Sequence, residues 1–192
     1  MKPSDFYLGA SELFSILIPG FVATVIVSSY MGVLEYQSAG ANRWALILVA
    51  SYICGHILFA IGSIWDDLYE MVKPDGNDNL IDKVQQIRND KSAQDCDSIN
   101  NYKWSRSLLS KVHPDGYADV LRKEADSKLF RSLIIPLIIT LVFLLLEHES
   151  FYATISLVMI IVTFLRYRRQ RFKGCTIAYT NVIVLNQLGL IK

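Results

Sequence analysis

The chain has 192 residues, 52% of them hydrophobic and 19% charged, with a net charge of +1 and a mean hydropathy of +0.31. Soluble domains carry about a quarter charged residues, so this composition, gathered into long apolar runs, excludes an ordinary soluble core and points to a bilayer. The near-zero net charge recommends neither nucleic acid nor an acidic partner, and three cysteines (Cys54, Cys96, Cys175) at no metal-ligand spacing argue against a disulfide framework.

The opening stretch, MKPSDFYLGASELFSILIPG, makes a poor signal peptide. Its basic region is a single lysine, and Asp5 and Glu12 precede the apolar run. A retained span is expected instead. Leu13–Leu34 and Trp44–Trp65 each give 22 residues without a charge. At about 1.5 Å per residue each is long enough to cross a hydrocarbon layer of roughly 30 Å.

After the second run comes a segment, 66–128, with no stretch long enough to cross again. KPDGNDN (73–79) reads as a loop. LIDKVQQIRND places Leu80, Ile81, Val84 and Ile87 at helical spacing. SAQDCDSINN reads as loop, and YKWSRSLLSKV as a helix ended by HPDG at 113–116. The tripeptide HPD also marks the J-domain co-chaperones, but their upstream Tyr-Leu-Gly pattern is missing, and Pro and Asp at a helix break suffice. From Tyr117 the chain runs without a breaker into the third apolar run, 129–146, so one long helix is expected there.

Arg131, near the start of that run, is placed to snorkel. A fourth run, 151–167, has aromatic residues at both ends, as interfacial anchors do. Only EHES separates runs three and four, which predicts a tight hairpin. The tail 174–192 has a β-branched stretch, Thr180 to Leu185, that fits a strand or a buried helix equally.

Of the 19 Lys and Arg residues only Arg43 lies in a short loop between runs, which leaves 19 − 1 = 18 in the N-terminal tail, the 66–128 segment with its edge at Arg131, and the C-terminal tail. The positive-inside rule then places both termini and the central segment in the cytoplasm. The expected fold is an all-α membrane protein, with four transmembrane helices and a cytoplasmic helical domain inserted between spans two and three. The divisions are 1–65, 66–128, 129–167 and 168–192.

Several polar groups are candidates for function. On a helix turning about 100° per residue, Ser63, Asp67 and Glu70 fall within roughly 40° of His56. Such a stripe either lines a pore or gate, or lets His56 bond a neighbouring helix. Asp66 and Asp67 end the second span, where the helix dipole disfavours anions. Lys128 and Arg131 enter at the same level, so an interhelical ion pair is expected among these four.

Tyr102 and Trp104 alternate with Lys103 and Arg106, a pattern that suits a base and phosphate or packing against a neighbour. The cluster Arg166, Arg168, Arg169, Arg171 and Lys173 reads as contact with lipid phosphate, and secondly as a phosphate-binding face. Small residues, Pro19–Gly20 in span one and Ser51 with Gly55 in span two, allow close helix approach. No catalytic set, metal site or cofactor motif occurs.

The four spans, the stretch GHILFAIGSIWDDLY and the helix LRKEADSKLFRSL give the chain an organisation that resembles the small four-span membrane effectors of bacterial anti-phage operons, such as the Hailong-type channel effector. That resemblance implies a homo-oligomeric inner-membrane pore that acts without catalysis and is gated by a cytosolic nucleotide or oligonucleotide. The alternative is a non-conducting anchor or sensor that recruits a partner protein.

Overall fold

The computed structural model describes residues 3–32, 41–72, 76–91 and 100–191. Every regular element among them is a helix: α1 (Pro3–Tyr30), α2 (Ala41–Gly62), α3 (Ile64–Met71), α4 (Asp78–Lys91), α5 (Asn101–Val112), α6 (Pro114–Leu146) and α7 (Ser150–Gln187). Four segments are long and apolar enough to cross a membrane: Leu13–Tyr30, Trp44–Met71, and stretches within α6 and α7. The fold is that of an all-helical, multi-pass membrane protein.

The chain divides into two compact units. One comprises residues 1–71 and 125–168, the other residues 72–124 and 169–192.

In the first unit, α1 and α2 pack backbone against backbone. A Cβ added at Gly20 would lie 1.9 Å from the Ser51 carbonyl oxygen, and one at Gly55 would lie 2.2 Å from that of Ile16. Only glycine fits at either position, so these small residues set the crossing distance. Ser51 is fully buried there and donates its hydroxyl to the Ile47 carbonyl at 2.6 Å.

The α6–α7 hairpin buries Ile134 and Ser132 of one helix and Ala153, Ser156 and Thr163 of the other. Ser156 donates to the Leu137 carbonyl at 3.1 Å, a hydrogen bond that ties the two helices together. The tight turn between them closes in a Schellman arrangement, with Glu149 N–H on the Leu144 carbonyl and His148 N–H on that of Leu145. His148 takes the left-handed position (φ 60°) that glycine usually fills.

The second unit has its own core. Val84 and Ile87 of α4, Leu109 of α5, Val120 of α6, and Ala178, Tyr179, Val182 and Leu185 of α7 bury their side chains together. The four α7 residues recur at helical spacing, which is why the β-branched stretch 180–185 is helix and not strand. Asn100 caps α5 by accepting the Lys103 N–H at 2.9 Å. Arg88 is buried and donates to the Asn101 side-chain oxygen at 3.1 Å, joining α4 to α5.

α6 begins at Pro114 and runs unbroken for 33 residues, as the lack of a breaker after Tyr117 predicts. Of the expected loops, residues 73–75 and 92–99 lie outside the described residues.

Candidate functional site

The second span is not one uninterrupted helix. α2 stops at Gly62 and α3 starts at Ile64. At the joint Ser63 turns its hydroxyl onto the Ala60 carbonyl at 2.7 Å. This corrects an assumption behind the expected pairing. Asp66 and Asp67 stand in the first turn of α3, where the helix dipole favours carboxylates instead of opposing them.

Of the two adjacent acids, Asp66 makes the pair. It accepts from Arg131 of α6 in an ion pair. Its other carboxylate oxygen accepts from the Tyr167 hydroxyl of α7 at 2.6 Å. One carboxylate thereby joins α3, α6 and α7. Arg131 is 6% exposed; its guanidinium lies over the Phe59 ring at 4.8 Å, in a cation–π contact. Its stem passes Gly62, where an added Cβ would lie 3.5 Å away. The Arg131 Nε is buried with no hydrogen-bond partner. Tyr167, 1% exposed, is packed by Tyr69 and Phe164 at centroid distances of 6.0 and 6.1 Å.

Of the four residues proposed for interhelical pairs, the structure thus joins Asp66 with Arg131. Asp67 is exposed, and Lys128 is half-buried. Tyr167 and Phe59 were missed by sequence reasoning. Tyr167 reads in sequence only as an interfacial aromatic, and nothing in the order of residues announces that its hydroxyl reaches α3.

His56, Ser63, Asp67 and Glu70 are all exposed on the protomer, although the break at Ser63 divides them between α2, the joint and α3. His56 makes an edge contact with the Tyr52 ring at 4.6 Å. Around it Tyr52, Ile53, Ile57 and Ile61 are exposed as well. This face of the second span turns away from the protomer's own interior.

In the second unit two separate candidate groups meet. The Arg171 guanidinium lies 5.9 Å from the centroid of the Tyr102 ring. Beside them Arg106 pairs with Glu124 at 3.1 Å and lies 6.0 Å from the centre of the Tyr117 ring. Burial first, then the charge of Glu124 and the neighbouring Cys175, push the Tyr102 hydroxyl pKa well above the usual tyrosine range. Burial alone would lower Arg106, but Glu124 and Tyr117 outweigh it and its pKa rises. Tyr102 is therefore a neutral, packed ring. Trp104 also packs on the second-unit core.

The remaining basic residues of α7 differ in exposure. Arg166 is exposed and Arg168 half-buried in the first unit; Arg169 and Lys173 are exposed in the second. Among the described residues no group of three or more His, Cys, Asp or Glu side chains could hold a metal ion.

Arrangement and composition together define the class: a multi-pass membrane protein whose described regular elements are all helices. No family model, curated protein or solved structure matches the chain.

Proposed function

We propose that the protein is a homo-oligomeric ion channel or pore-forming effector of a bacterial inner membrane. It acts without catalysis and is gated through a cytoplasmic helical part. The observation that carries this reading is the exposure of His56 in the middle of a span. An imidazole facing hydrocarbon has no hydrogen-bond partner, so ionisable groups within a bilayer generally face protein or a wet cavity. In the lone chain His56 faces neither, and a second copy or a shared pathway would meet that need. Ser63, Asp67 and Glu70, exposed beyond it, continue a polar surface to the end of the span.

Two further features support the reading. Only 22% of the residues in each spanning window are buried, which leaves ample apolar surface for neighbouring copies and lipid. The distribution of Lys and Arg supports a cytoplasmic side for both termini and for the segment 66–128. A role in anti-phage defence rests on the resemblance of organisation, which also suggests a nucleotide or oligonucleotide as the gating signal.

The test is conductance of the purified chain in planar bilayers, together with its mass in detergent. An oligomer with discrete conductance steps, altered by His56→Ala or Asp67→Asn, is expected. A monomer that never conducts would overturn the proposal.

A further inference from the structure

In the first unit, the last turn of α1 and the last turns of α6 enclose an open groove of about 390 Å³. Its walls are apolar: Val25 and Ile26 on one side, Leu144 on the other. At one end the Tyr30 and Phe143 rings stack with centroids 3.9 Å apart and planes 3° from parallel. Its polar groups are few. Thr140 spends its hydroxyl on the Pro136 carbonyl at 2.9 Å, which leaves the Ser29 hydroxyl and the exposed Glu147 carboxylate at the rim. Among the described residues no basic side chain lines the groove.

The geometry points to a lipid site selective for phosphatidylethanolamine. The volume is that of a small-molecule site, and it lies where two spans end, so that its occupant has a tail in hydrocarbon and a head at the interface. Apolar walls receive an acyl chain. A carboxylate that no described basic side chain faces selects a positive head: the primary ammonium donates to Glu147 and Ser29 in charge-assisted hydrogen bonds and lies beside the electron-rich Tyr30 ring. An anionic head such as phosphatidylglycerol brings net negative charge towards Glu147 and no ammonium to offset it. This inference is independent of whether the protein conducts.

The experiment uses the full-length protein in phosphatidylcholine vesicles. These contain a small fraction of either phosphatidylethanolamine or phosphatidylglycerol, each with a photoreactive diazirine in its acyl chain. Labelled peptides are mapped by mass spectrometry. The phosphatidylethanolamine probe should label 25–30 and 140–147 about tenfold more than the phosphatidylglycerol probe, the fold-change one charge-assisted hydrogen bond supplies. Glu147→Gln should remove that preference, and Val25→Trp, which fills the groove, should abolish labelling by both probes at these peptides. Equal labelling of the wild type by the two probes overturns the proposal. So does a preference that survives Glu147→Gln, or labelling that survives Val25→Trp.

Discussion

Asp66 and Arg131 form an ion pair between α3 and α6 although 65 positions separate them in the chain. Arg131 has the less exposed side chain, 8% against 32% for Asp66. Removing the acid is therefore worse than removing both charges. Asp66→Asn should lower stability by about 3 kcal/mol, because it leaves a buried guanidinium unpaired. The double substitution Asp66→Leu with Arg131→Met should recover most of that loss. Unfolding in mixed detergent micelles, followed by circular dichroism, measures both. Tyr167→Phe should cost about 1.5 kcal/mol, the low end for a hydrogen bond to a charged group.

Glycine substitutions should separate close contacts from roomy ones. Gly20→Ala or Gly55→Ala places a methyl group against backbone that cannot yield, with an expected loss of about 2 kcal/mol each. Gly62→Ala meets Arg131 only at 3.5 Å, ordinary van der Waals contact, and should be tolerated. The same unfolding assay compares the three.

At the α6–α7 turn the opposite is expected. His148 holds a left-handed backbone (φ 60°) that costs an L-residue about 1 kcal/mol. His148→Gly should therefore raise stability by about that amount, read as a higher unfolding temperature.

The second unit should weaken in alkali. An unfolded tyrosine ionises near pH 10, whereas Tyr102 in the fold holds its proton to a higher pH. Above about pH 10 the unfolded chain therefore binds fewer protons than the folded one, and stability falls as pH rises. Below that pH the shift contributes nothing. Tyr102→Phe should leave stability at neutral pH unchanged and make its decline above about pH 10 shallower, measured by far-ultraviolet circular dichroism across a pH series.

The spans were legible because crossing a bilayer demands length and apolarity, both of which are written in consecutive residues. The break between α5 and α6 was legible for a related reason, since Pro114 cannot continue the preceding helix. The break at Ser63 carries no such mark: IGSIW contains no proline, and one glycine in a span is ordinary. The end of the dipole at which Asp66 and Asp67 stand was consequently misjudged. Two adjacent aspartates look equivalent in sequence; only the helix phase set by α3 decides that Asp66 meets Arg131 and Tyr167. The pairing of Tyr102 with Arg171 joins residues from α5 and α7, and no local pattern registers such a distance in the chain.

The contact of α1 with α2 has a mechanical meaning. Where two backbones touch, no side chains lie between them to rearrange, so the helices cannot roll or slide without first separating. They form a single stiff plank. A substitution that pries the plank apart would therefore take stiffness from the first unit that no side-chain rearrangement could restore.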